Sequence, residues 1–147
     1  MLLTSPSFKD GSDIPRKFTC DGGDINPELE IHNVPDDAKS LLLVLHDPDA
    51  PRAGGFAHWL VWNINPKTTF IKEESVPPGA TEGANGAREV RYMGPCPGQG
   101  SHHYHFKLYA LDAMLDLPEG TELDGLAAAM TGHVLAETEL VGMYKRI

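Results

Sequence analysis

The chain has 147 residues and a formal net charge of −9 at pH 7. That length predicts one domain, 1–147, with a core of adequate size. The acidity excludes the basic footprint of a nucleic-acid binder and electrostatic attachment to an anionic membrane. No run of about 18 apolar residues is present, so no membrane insertion is expected.

The opening residues, MLLTSPSFKDGSDIPRKF, lack a basic segment followed by an apolar core, so a cytoplasmic protein is expected. Prolines and glycines are frequent and spread along the chain, which points to a loop-rich β protein. Two cysteines, Cys20 and Cys96, are too few for a disulfide scaffold. Two reduced thiols are the expected state; a single bridge stays open, because the sequence carries no distance between them.

In chain order, SLLLVLHD (40–47) is a continuous apolar run of strand length and predicts a buried strand. FAHWLVWNI (56–64) is aromatic and β-branched, and is expected to be its neighbour. NPKTTFIKEESVPPGATEGANGA (65–87) is polar and turn-rich, and is expected to cross the surface. HHYHFKLYAL (102–111) alternates: His102, Tyr104, Phe106, Leu108 and Ala110 face the core, and His103, His105, Lys107 and Tyr109 face mostly solvent. Leu123, Leu126, Ala127 and Met130 recur at helical spacing and predict a helix over 122–130, stopped by Gly132. The tail, HVLAETELVGMYKRI, fits a helical turn followed by a strand, and periodicity does not settle it.

Three stretches carry polar chemistry. The first is Asp47-Pro-Asp-Ala-Pro51, a loop stiffened by Pro48 and Pro51. Its aspartates serve either as turn formers or as site residues. The second is His58, placed at the start of an apolar strand, either a satisfied core residue or a ligand group. The third is YMGPCPGQGSHHYHF (92–106), a rigid Gly-Pro loop feeding a strand whose His102 and Tyr104 point inward. Two inward polar side chains are costly unless they find partners, and a pocket shared with the first two stretches would supply them. A zinc site from Asp47, Asp49, His58 and His102 is chemically conceivable, but it lacks the tight spacing of a zinc motif. There is no nucleophile elbow, phosphate-binding Gly-Lys loop or dinucleotide fingerprint, and no cofactor is implied.

Taken together, DPDAP (47–51), HWLVWNI (58–64), GPCPGQGSHHYHF (94–106), GHVLAETELVGMY (132–144) and CDGGDINPELE (20–30) resemble the phosphatidylethanolamine-binding protein family, in its bacterial and archaeal Raf kinase inhibitor-like branch. The resemblance covers nearly the whole chain. It implies a mainly β fold with a large central antiparallel sheet, a smaller sheet and one or two short helices. It also implies a small anion-binding pocket near one end of the sheet. By position it assigns Asp47, Asp49, His58, Pro95, His102 and Tyr104 to ligand binding. His103 stands where the family's motif has arginine, Ile31 where relatives carry tryptophan, and Gly98 where many have a second proline.

The implied function is binding of a small oxyanion or phosphorylated head group, with regulation through a protein partner. One alternative is a kinase or serine protease inhibitor acting through surface loops, with changes in 65–87 mattering most. Another is a hydrolase or metal-dependent enzyme using the same pocket. No nucleophile–base pair is evident, so no enzyme is expected. The resemblance also admits a homodimer.

Overall fold

The computed structural model describes residues 1–146. Eight strands and one helix follow in the order β1 (Leu2–Thr4), β2 (Leu29–His32), β3 (Ser40–Asp47), β4 (Phe56–Ile64), β5 (Phe70–Ile71), β6 (Thr81–Glu82), β7 (Ser101–Leu111), α1 (Leu123–Met130) and β8 (Val134–Lys145). They form an antiparallel five-stranded sheet in the order β6-β4-β3-β7-β8 and an antiparallel three-stranded sheet, β1-β2-β5. The expected mainly β architecture, with a large and a smaller sheet, is what the chain adopts. Among the described residues no helix is long and apolar enough to cross a membrane.

The large sheet is covered on both faces. That is why β3 reads as an unbroken apolar run instead of an alternating one. Leu41, Leu43 and Leu45 pack with Trp59, Val61, Phe106 and Leu108 against the smaller sheet. Leu42 and Val44 pack with Leu60, Trp62 and Leu126 beneath α1. The alternation of β7 holds on the inner side: His102, Tyr104, Phe106, Leu108 and Ala110 are all buried. The tail is a single 12-residue strand along the edge of the sheet. The 65–87 segment differs from a plain surface crossing, because it contributes β5 to one sheet and β6 to the other.

One expectation is corrected. Cys20 and Cys96 are joined in a disulfide, with Cα atoms 5.5 Å apart and 76 residues between them in sequence. The bond ties the 19–24 loop to the 94–100 loop. Three hydrogen bonds already bring these loops together: Cys20 N–H to the Pro95 carbonyl (3.1 Å), Gly94 N–H to Asp24 Oδ1 (2.7 Å) and the Tyr92 hydroxyl to the Phe18 carbonyl (2.7 Å). Gly94 is required here, because a Cβ would collide with the Phe18 carbonyl and the Asp24 carboxylate.

Candidate functional site

The C-terminal end of β3, the start of β4 and the start of β7 meet at one end of the large sheet. Register shifts in the β3–β4 ladder decide what β4 presents there. Leu45 pairs with Trp59 but His46 pairs with Ala57, which leaves His58 as an extra residue. Such a bulge turns two successive side chains to one face. His58 and Trp59 accordingly both lie on the inner side, His58 with its ring 5.4 Å from Tyr104 and Trp59 in the inner core.

The rings are held through their Nδ1 atoms. His102 Nδ1 lies 2.7 Å from Asp47 Oδ2, and both side chains are buried. His58 Nδ1 lies 2.7 Å from the Met93 carbonyl, and the Met93 amide donates back to the His58 carbonyl at 3.0 Å. A carbonyl only accepts, so His58 carries its proton on Nδ1 and Nε2 is the other, unprotonated nitrogen. The same tautomer follows for a neutral His102 beside an ionised Asp47. Burial holds the His58 ring below the ordinary histidine range, a shift that its bond to the Met93 carbonyl and the charge of Asp47 oppose. Tyr104 is stacked beside His102, with ring centroids 6.3 Å apart. Its Oη is buried without a hydrogen-bond partner among the described residues, and burial pushes the phenol well up. The Cys96 amide nearby favours the phenolate, against that push, but makes no hydrogen bond of standard geometry with it.

These groups surround a cavity of about 270 Å³. Asp47, His58, His102 and Tyr104 supply its polar chemistry. Pro51, Arg52 and Phe56 form one wall, and Met93, Cys96 and Pro97 the other. The cavity thus brings together four of the six residues read from the sequence. The other two stand outside its lining. Asp49 is turned away and accepts from the His103 amide (2.7 Å) and the His103 ring (2.8 Å), which hold its carboxyl below the usual range. Its own amide donates to Asp47 Oδ1 at 2.8 Å. Asp49 therefore positions the loop while Asp47 holds His102. Pro95 is buried behind the wall and offers only its carbonyl, to Cys20. The histidine that replaces arginine in the family's motif, His103, is the partner that fixes Asp49.

Reasoning from sequence missed several contributors. Arg52 is the permanent cation among the described residues that line the cavity. It lies over the Phe56 ring at 5.4 Å and donates to the Gly86 carbonyl at 3.3 Å. A lone cation in a loop of an acidic chain was the available signal. Gly55 closes this loop at φ +73, and a Cβ there would strike the Asp47 carbonyl. Asp24, at φ 55, braces the opposite wall through Gly94 and is paired with Arg91 at 3.2 Å. No three His, Cys, Asp or Glu side chains converge as metal ligands among the described residues.

The profile of the family described as phosphatidylethanolamine-binding protein matches residues 4–145. A UPF0098 protein of Methanothermobacter thermautotrophicus is 43% identical, covering 99% of both chains. A UPF0098 protein of Pyrococcus horikoshii is 45% identical over 99% of this chain and 77% of its own. Among solved structures, a putative phosphatidylethanolamine-binding protein homologue of Chlamydia trachomatis superposes with a TM-score of 0.94 at 40% identity, covering 99% of this chain and 97% of the other. Escherichia coli YbcL, described as a member of the mammalian family, superposes with a TM-score of 0.91 at 28% identity, over 99% and 98%. Shared sequence along nearly the whole length, and a shared arrangement of both sheets, place this chain in the phosphatidylethanolamine-binding protein family.

Proposed function

We propose that the protein binds a small oxyanion or the phosphorylated head group of a larger molecule in the cavity between β3, β4 and β7. The observation that carries this is the pair of buried imidazoles. Each is fixed through Nδ1, so each keeps Nε2 for a ligand. A phosphate monoester, whose second pKa is about 6, keeps a proton near pH 6 and can donate it to a bare Nε2. Either ring, once protonated, becomes a donor to the anion, with Asp47 holding the charge on His102. Arg52 adds a fixed positive charge at the rim, and the Tyr104 hydroxyl gains the partner it lacks among the described residues. The apolar walls, Phe56, Met93 and Pro97, suit the organic portion of an ester. The family's name, which refers to a phosphorylated amine lipid, agrees with this chemistry.

Binding is proposed here without turnover. The Cys96 sulfur on the cavity wall is held in the disulfide, and no serine or threonine lines the cavity among the described residues. A cytoplasmic site of action is part of the proposal, and it is the part the disulfide strains, because such bonds are rare in a reducing cytosol. Alkylating thiols in intact cells before lysis reads the state of the bond. A fully oxidised pool would place the protein in an oxidising compartment instead.

Proton-linked calorimetry tests the binding reading. Phosphate or phosphoethanolamine should bind more tightly at pH 6 than at pH 8, with net proton uptake measured across buffers of different ionisation enthalpy. Binding that tightens towards pH 8 overturns it. His102→Ala should lower the affinity at least tenfold while the far-ultraviolet circular dichroism stays unchanged.

A further inference from the structure

The edge of the large sheet carries a second feature, away from the cavity. β8 pairs with β7 on one side only. On its outer side the N-terminal segment covers the last part of the strand: Val141 bonds to Asp10 and Gly11, and Met143 bonds to Ser12 and Ile14. Residues 136–144 pair with β7 one to one without a register shift. The backbone groups of alternate residues therefore point alternately to β7 and outward. Because 141 and 143 point outward, so do Glu139 and Glu137, and nothing among the described residues accepts from or donates to them. Two N–H and two C=O groups form an open edge.

The surroundings of that edge have a definite chemistry. Glu137 has no ion-pair partner among the described residues, and Glu139 has only His105, at 3.1 Å. Both are exposed and border a hollow of about 340 Å³ with Lys107 and Tyr109. Lys107 and Tyr109 also border a second hollow of about 340 Å³, mostly apolar, between the sheet and Leu126, Met130 and Val134. Val134 is 40% exposed and Leu135 38%. A second copy pairing antiparallel at this edge would set glutamate against glutamate, which is unfavourable. Charged edge residues of this kind block self-pairing but select an oppositely charged strand.

We propose that this edge takes an extended segment of another protein by strand addition. The segment carries lysine or arginine at alternate positions against Glu137 and Glu139, and an aliphatic side chain two residues on, over Val134. Backbone hydrogen bonds would supply affinity, and the alternating side chains selectivity.

The test is a nuclear magnetic resonance titration of the full chain with the peptide acetyl-Lys-Thr-Lys-Thr-Leu-amide. Its counterpart, with glutamate in place of lysine, is the control. Amide shifts should concentrate on residues 134–140 and on their β7 neighbours, and should weaken as salt rises from 50 to 300 mM. Glu137→Pro removes one outward N–H that β7 does not use, a substitution that edge strands tolerate. It should weaken binding at least tenfold. The double change E137K/E139K should do the same and transfer the preference to the glutamate peptide. Amide resonances outside residues 134–140, unchanged in dispersion in both variants, report that they remain folded. The proposal is overturned by absence of edge shifts at millimolar lysine peptide, by equal binding of the glutamate peptide to the unmodified chain, or by a dimer in sedimentation equilibrium that Glu137→Pro dissolves.

Discussion

At the scale of single residues, the site divides into groups that face the cavity and groups that hold them. Asp47 is a holder as well as a wall: its two oxygens take the His102 ring and the Asp49 amide. Asp47→Asn keeps the shape but replaces the carboxylate with an amide. Phosphate affinity should fall about tenfold or more, as calorimetry would show. Tyr104 makes the opposite kind of prediction. Its hydroxyl is buried without a partner among the described residues, a state that costs roughly 1–3 kcal/mol. Tyr104→Phe should raise the ligand-free melting temperature and at the same time weaken phosphate binding. A variant that loses stability without ligand would show that the hydroxyl is satisfied in the folded protein. His58 gives a pH signature. Burial depresses its folded-state pKa, so its contribution to stability is complete above the ordinary histidine value of 6.5. That contribution is lost as pH falls through the folded value. Chemical denaturation of the ligand-free protein should show stability declining below about pH 6.5, with a shallower decline in His58→Asn. Ligand binding moves the other way with pH, so added phosphate should flatten the same curve.

The elements show why some of this was legible and some was not. β3 and β4 match the apolar runs 40–47 and 56–64, because a strand covered on both faces is apolar through its central positions, and the polar residues fall mostly near the ends. The helix begins one residue after the predicted start, a difference within fraying. β5 and β6 hold two residues each and were not visible in the 65–87 segment. Strands that short are made by the ladder they join, with no periodicity of their own. The bulge at His58 was equally hidden, since alternation alone sends His58 and Trp59 to opposite faces. The loop between β3 and β4 depends on Gly55. Gly55→Ala should cost at least about 1 kcal/mol in stability, from the positive φ and the collision with the Asp47 carbonyl. It should also disturb the Asp47–His102 pair, and a thermal melt together with the His102 ring resonances would report both effects.

At the scale of the whole molecule, the disulfide makes one wall of the cavity part of the N-terminal structure. Closing a separation of 76 residues restrains the unfolded chain by roughly 2–5 kcal/mol. Cys96 is exposed and Cys20 half-buried, so a dithiol reductant can reach the bond. Reduction, or Cys96→Ser, should lower the denaturation free energy by about that amount and weaken ligand binding, because Cys96 and Pro97 line the cavity. Affinity that is unchanged after reduction would show that the hydrogen bonds through Asp24 and Pro95 hold the wall alone.

The sequence by itself determined the fold class, the two central strands, the inward face of β7, the helix and four residues that meet in the cavity. Each of these is written locally, as apolar continuity, a period of two or 3.6, or a motif kept in order along nearly the whole chain. Tertiary structure alone decided the disulfide, the outward turn of Asp49 onto His103, the placement of Arg52 at the rim and the open edge at Glu137 and Glu139. Those depend on distances between segments tens of residues apart, and on one extra residue in a ladder. Neither a pair distance nor a bulge leaves a mark in the order of residue types. DPDAP therefore announces a site in sequence, while the division of labour between its two aspartates exists only once β7 lies beside it.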